Sequence, residues 1–180
     1  ETGGEDMPEA YRWVPADPSE GSLNVIATWS VHDNRWLFQE MYGQVFGRAA
    51  AVINFHRIQR LLVAMIRRWL LVLCSMYYDD ASLQDLAAAK GRGQRYVRAL
   101  FRIVGLPLAE PKQVDLNSAA DFFGLTHDVT EALHTGQVVF TPRSGLLTKA
   151  VSLLQERIQE DSCTPAQASK IRGVLGFLFT

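Results

Sequence analysis

Leu70-Leu71-Val72-Leu73-Cys74-Ser75-Met76-Tyr77-Tyr78-Asp79-Asp80 is an apolar run that ends on two adjacent acids. A continuous run of this kind reads as a buried strand over Leu70 to Tyr78. A core does not accept two unpaired charges, so Asp79 and Asp80 mark a strand-to-turn junction. Hard oxygen ligands suit Mg²⁺, which is held by one or two carboxylates together with substrate phosphates. In-line phosphoryl or nucleotidyl transfer uses two such ions about 3.5 to 4 Å apart. A third carboxylate from elsewhere would complete the site, and Asp6 is the candidate because the aromatic Tyr11 follows it by five residues.

Outward from this run, Arg48 to Trp69 contains no Gly or Pro, and Ala51, Phe55, Ile58, Leu62, Met65 and Ile66 recur at three- and four-residue steps. That spacing predicts one long helix. Further upstream, Ser22 to Trp29 and Trp36 to Tyr42 are rich in β-branched and aromatic residues, and Ser30 to Arg35 between them predicts a hairpin turn. Downstream, Ser82 with Asp85 resembles a capping box, which predicts a helix over 82–104 closed by Gly105. Lys90-Gly91-Arg92-Gly93 lacks the spacing and the preceding strand of a phosphate loop and reads as a weak point in that helix. Leu106 to Gln113, with Pro107 and Pro111, reads as an edge segment. Two strands are expected over 119–126 and 137–141, linked through His134 to Gly136. Ser144 opens a helix to about Gln159, and Thr164 with Pro165 opens another that runs to the chain's end, through the apolar run Val174 to Phe179. The order predicts an α+β fold, an antiparallel sheet backed by helices.

The 180 residues, 48% hydrophobic and 21% charged, fit one soluble domain with a real core and exclude disordered and fibrous classes. The net charge of -1 gives no global case for nucleic-acid binding, but the charge is uneven. Between residues 48 and 102 stand Arg48, Arg57, Arg60, Arg67, Arg68, Lys90, Arg92, Arg95, Arg98 and Arg102, against Asp79, Asp80 and Asp85 alone. Such a stretch attracts a phosphate backbone, unless it is only a set of solvated helix faces. Cys74 and Cys163 are far apart and form neither a disulfide framework nor a zinc motif, which predicts a reduced, intracellular protein. Glu1 to Asp6 is acidic with no apolar segment after it, so no signal peptide is expected, and a start without Met reads as a piece of something longer. Arg67 and Arg68 interrupt the apolar stretch Leu61 to Met76, which argues against a membrane span. His32, His56, His127 and His134 lack ligand spacing, and His56 reads as a core or surface residue.

With these residues in order, the chain resembles the palm of a retroelement reverse transcriptase, an RNA-directed DNA polymerase. Asp6-Met7-Pro8-Glu9-Ala10-Tyr11 is similar to the family's first block, where an Asp binds metal and an aromatic five residues on guards against the ribose 2′-hydroxyl. Phe46-Gly47 and the helix through Ala51 and Phe55 resemble the second block. Tyr77-Tyr78-Asp79-Asp80 matches the Tyr-x-Asp-Asp block. Gly105-Leu106 through Lys112 resembles the segment that follows, and Phe122-Phe123-Gly124-Leu125 is similar to the primer-grip hairpin. The chain departs from the pattern at Val45 and Val52, where the family has Pro, and at Arg48, where it has Leu.

The resemblance implies a polymerase-type palm over 1–141 and the beginning of the thumb helices over 142–180. It implies catalytic, metal-binding carboxylates at Asp6, Asp79 and Asp80, and nucleotide contacts from Tyr11, Phe46, Gly47 and Lys112. It implies a primer grip at Phe123, Gly124 and Leu125. The implied cofactor is two Mg²⁺ ions, with Mn²⁺ able to substitute. The implied partners are an RNA or DNA template with its primer, deoxynucleoside triphosphates, and the fingers and remaining thumb of the same polyprotein, with no membrane. The isolated chain, without fingers, is expected to be inactive. The alternative is a non-catalytic retroelement remnant that binds nucleic acid or serves a structural role. An RNA-dependent RNA polymerase palm is disfavoured by Tyr77, Tyr78 and Tyr11.

Overall fold

The computed structural model describes residues 1–178; of the expected terminal apolar run, Phe179 lies outside the described residues. The chain opens on strand β1 (Thr2–Asp6), buried along its whole length. Two 3-10 turns, Ala10–Trp13 and Pro18–Leu23, lead to a hairpin of β2 (Val25–Ser30) and β3 (Arg35–Glu40). The hairpin is the expected one with a tighter turn, since Ser30 and Arg35 pair within the strands; the register runs from Val25↔Glu40 to Ser30↔Arg35, and the exposed Trp29 and Trp36 rings meet across the strands at 5.4 Å.

Helix α1 (Ala49–Met65) buries Ala51, Phe55, Gln59 and Leu62 on the face that the apolar spacing predicts. It continues through a π-helical turn, Ile66–Leu70, after which Leu71 at φ 56° redirects the chain. By length and composition alone Ala49–Leu70 could cross a membrane. In the fold, Phe55, Leu62 and Ile66 pack with Val72, Cys74 and Leu83, each fully buried large side chain contributing about 1.5 to 3 kcal/mol.

Strand β4 (Leu73–Tyr77) is shorter than the apolar run around it and pairs antiparallel with β5 (Asp80–Gln84), from Leu73↔Gln84 to Tyr77↔Asp80. Residues 82–84 are therefore strand where a helix start was expected. Ala81, Ser82 and Leu83 are buried, and β5 lies inside the four-stranded sheet β4-β5-β1-β6, so sheet burial overrides the local capping signal. Asp85 does cap a helix, but one that begins seven residues later. Its carboxylate accepts from the Gly93 N–H at 3.1 Å, within α2 (Arg92–Ile103), and from Leu86 N–H at 2.8 Å. A Cβ on Gly93 would meet Asp85 Oδ2 at 2.3 Å, so this close approach needs glycine.

The edge segment expected over 106–113 contains a 3-10 turn, Glu110–Lys112, and the edge strand is β6 (Val114–Asn117). The strand expected over 119–126 is two strands, β7 (Ala119–Phe122) and β8 (Leu125–Asp128). Phe123 at φ 52° and Gly124 at φ 75° form the two-residue turn between them, a mirror-type turn that suits strand twist. His134 lies in a short helix, α3 (Ala132–Thr135), and β9 (Val139–Pro142) completes a three-stranded sheet β7-β8-β9. Helices α4 (Ser144–Glu160) and α5 (Pro165–Leu178) follow as expected, with Thr164 Oγ1 accepting from Gln167 N–H at the start of α5.

The architecture is the expected α+β arrangement of antiparallel sheet and helices. The chain separates into two compact units, Gly4–Leu116 and a second made of Glu1–Gly3 with the residues from Asn117 on.

Candidate active site

Within the first unit, the end of β1 and the β4–β5 turn are joined backbone to backbone: Met7 N–H donates to Asp79 O at 3.0 Å. On its other side β1 is held by Ala109 N–H, which donates to Asp6 O at 2.8 Å. Two segments separated by more than seventy residues therefore present Asp6, Asp79 and Asp80 in one place. The turn carries Tyr78 at φ 52°, a left-handed conformation costing about 1 to 3 kcal/mol for a bulky residue. Packing offsets part of that cost, because the Tyr78 ring lies 5.1 Å from His56 and 4.8 Å from Tyr77.

The carboxylates repel one another. Asp80 is pushed up to about 6, first by desolvation, then by the Asp79 charge and by the Asp6 carboxylate, to which a protonated Asp80 can donate. Lys112 answers this crowding. Its ammonium donates to Asp6 Oδ1 and Oδ2, both at 3.0 Å, and the Asp6 bond and charge hold it protonated above the ordinary lysine range. Among the described residues no three His, Cys, Asp or Glu side chains form a ready cluster for a metal ion. Near Asp79 and Asp80, the Asp6 oxygens are already engaged by Lys112.

Tyr11 joins this site. Its ring packs edge-on against Phe46 at 4.8 Å and Phe55 at 5.3 Å, and its hydroxyl is held above the usual phenol range by desolvation, Tyr78 and Asp79. Phe46 is 69% exposed, so it stands at the surface rather than in the core. Gly47 has φ 89° and nothing within 4 Å of where a Cβ would stand, an open approach to the backbone ahead of α1. Phe123, Gly124 and Leu125 form the β7–β8 turn of the second unit, where Arg143 N–H donates to Gly124 O at 3.1 Å.

Three residues were not singled out as site residues by their sequence context. Gln59 is buried, donates through Nε2 to Met76 O, and hydrogen-bonds His56 Nδ1, so both residues brace the strand that ends in Tyr77-Tyr78. A Gln on the apolar face of α1 was the available signal. Glu5, next to Asp6, has a fully buried side chain that accepts from Gln94 Nε2 at 2.9 Å and lies 3.9 Å from Arg98 Nε. Its other oxygen, Oε2, has no hydrogen-bond partner among the described residues, and desolvation raises the pKa of Glu5 against the opposing effects of Gln94 and Arg98.

The chain that carries this sheet and turn has a reverse-transcriptase-like fold. In particular, the chain is similar to the foamy viral protease-reverse transcriptase solved with an RNA/DNA hybrid, at TM-score 0.71 and 14% identity, covering 98% of this chain and 21% of that one. It is also similar to the foamy viral protease-reverse transcriptase dRH solved with double-stranded DNA, at TM-score 0.69 and 14% identity, covering 98% and 27%. The chain thus spans about a quarter of the length of these solved chains. No protein-family model matches it, and no curated protein does.

Proposed function

We propose that this chain is the palm, with the first thumb helices, of an RNA-directed DNA polymerase of retroelement type. The observation that carries the reading is the meeting of Asp6 with Asp79 and Asp80 at the end of a buried sheet. The donor set fits Mg²⁺, since it consists of hard carboxylate oxygens whose mutual repulsion a divalent cation relieves. Asp6, Asp79 and Asp80 would hold the metal, which when bound activates a primer hydroxyl and neutralises a triphosphate.

The chain's own residues supply the rest. In the reaction the primer 3′-oxygen bonds to the α-phosphorus of a deoxynucleotide as the bond to pyrophosphate breaks. Lys112 Nζ, once off Asp6, carries a charge for the triphosphate and a proton for the leaving pyrophosphate. Tyr11, braced by Phe46 and Phe55, bars a 2′-hydroxyl by shape. Gly47 leaves its backbone open to a nucleotide or template strand. Phe123, Gly124 and Leu125 would grip the primer.

The test is primer extension by the full-length parent in which this chain is joined to fingers, with an RNA or DNA template, deoxynucleotides and Mg²⁺. Asp79→Asn is expected to abolish extension and leave primer-template affinity within about threefold. Extension by Asp79→Asn at the parental rate overturns the reading. A non-catalytic nucleic-acid-binding module is the second reading, favoured by the Lys112 ammonium already neutralising Asp6.

A further inference from the structure

A groove of about 540 Å³ lies between α1 and strand β4, lined by His56, Gln59, Arg60, Arg67, Arg68 and Met76 among others. Its helical wall follows directly from sequence. Positions 56, 59, 60, 63, 64, 67 and 68 repeat at three- and four-residue steps, so they form one stripe along the helix. The opposite wall is the edge strand of the sheet, since β4 has β5 on one side only. Two side chains from the stripe occupy that edge: Gln59 Nε2 donates to Met76 O, and Arg67 Nε donates to Cys74 O at 2.7 Å.

Arg67 is thereby fixed through Nε, and its terminal amino groups have no partner among the described residues. Arg60 and Arg68 are exposed and make no ion pair or hydrogen bond among the described residues. Among the described residues no carboxylate lines the groove. Three guanidinium groups side by side with no counter-charge repel each other, and an anion with several oxygens relieves that repulsion through forked, charge-assisted hydrogen bonds.

We infer that this groove binds the phosphate backbone of a nucleic-acid strand that leads to or from the Tyr77-Tyr78-Asp79-Asp80 turn. Two features select a polynucleotide over a single small anion. Arg60 and Arg67 are seven residues apart, about 10 Å along a helix at about 1.5 Å per residue. That span exceeds one phosphate group and takes in more than one phosphate of a strand, whose charges follow at about 3.4 Å of helix axis in a duplex and farther apart along the backbone itself. The groove also lies next to the candidate active site in the chain: Gln59 holds Met76, two residues before Tyr78, and the His56 ring lies 5.1 Å from that of Tyr78, tilted by 47°. The contacts are to phosphate, so binding here positions a strand without reading its bases. The inference rests on the polymerase reading only for what the strand meets at the turn.

The experiment is fluorescence-anisotropy titration of a labelled single-stranded DNA oligonucleotide against salt concentration, in EDTA. Arg60→Ala/Arg68→Ala is expected to lower the slope of log affinity against log salt by about 1.4, at about 0.7 per phosphate contact on a single strand. Arg60→Lys/Arg68→Lys keeps the charge and is expected to keep most of the slope. Arg92→Ala/Arg102→Ala on α2 is expected to leave it unchanged. The titration in EDTA reads strand binding without nucleotidyl transfer, so a failure of primer extension and a failure of the groove are read separately. An unchanged slope for Arg60→Ala/Arg68→Ala, an absence of DNA binding, or equal displacement of the DNA by a polyglutamate peptide of the same charge overturns the inference.

Discussion

Lys112 Nζ stands 3.0 Å from both carboxylate oxygens of Asp6, a residue 106 positions away in sequence. The pair joins the end of β1 to the 3-10 turn Glu110–Lys112 and places a positive charge among three acids. A divalent cation bound by Asp6 has to displace this ammonium. Lys112→Met is therefore expected to bind Mn²⁺ several-fold more tightly than the parent in the absence of nucleotide, measured by electron paramagnetic resonance of free Mn²⁺. Equal or weaker binding would show that Lys112 does not compete for Asp6.

Tyr11 is braced by two aromatic rings beside Asp79, so its shape is set before any nucleotide arrives. On the proposed polymerase reading, Tyr11→Ala in the full-length parent is expected to raise ribonucleotide use relative to deoxynucleotide use by tenfold or more, while Tyr11→Phe keeps the parental preference. The ratio of kcat/KM for the two sugars is the measurement. Unchanged discrimination in Tyr11→Ala would reduce the residue to a packing role.

Gln59 satisfies a strand-edge carbonyl from inside the core. Gln59→Leu preserves the volume and removes the donor, leaving Met76 O without that bond. The expected loss is about 1 to 3 kcal/mol in a urea titration. A variant as stable as the parent would mean that water replaces the amide without cost.

In the second unit His127 lies between Phe140, at 4.8 Å, and Phe122, at 6.0 Å. Desolvation holds its pKa below 6.5, against smaller opposing effects of the Phe122 backbone and Asp121. The folded state therefore binds a proton less readily than the unfolded chain. The contribution is full above about pH 6.5 and is lost as pH falls through the lower folded value. Tm is expected to drop between pH 7.5 and pH 5, and His127→Phe to drop less. Parallel profiles for the two proteins would assign the loss to other groups.

Cys74 is 2% exposed, and burial pushes its thiol up to about 11, with Arg67 opposing. Cys163 is exposed, and both cysteines are free. Native protein is expected to take up one equivalent of iodoacetamide at pH 8 and a second only in denaturant, counted by mass spectrometry. Two fast equivalents without denaturant would mean that the β4 region opens readily.

Elements with a strong repeating pattern were legible in the sequence. The β2–β3 hairpin, α1, α4 and the Thr164–Pro165 start of α5 follow from β-branched and aromatic runs around a turn segment, helical spacing and capping residues, which act over a few positions. The order of Asp6, Tyr11, Phe46-Gly47, Tyr77-Tyr78-Asp79-Asp80 and Lys112 was legible for the same reason, because each block is local.

What local pattern could not supply was the choice between competing local signals. Ser82 and Asp85 form a credible helix cap, yet burial of Ala81, Ser82 and Leu83 inside a four-stranded sheet outweighs it, and the helix waits until Arg92. The acidic start of the chain gave no strand signal, but Thr2–Asp6 is a buried strand because β5 and β6 flank it. The Asp6–Lys112 pair, the Gln59 brace and the arginine groove are likewise products of tertiary structure. Charge and hydrogen bonding act across a few ångströms of space whatever the separation along the chain, so folding alone decided which carboxylate meets which ammonium.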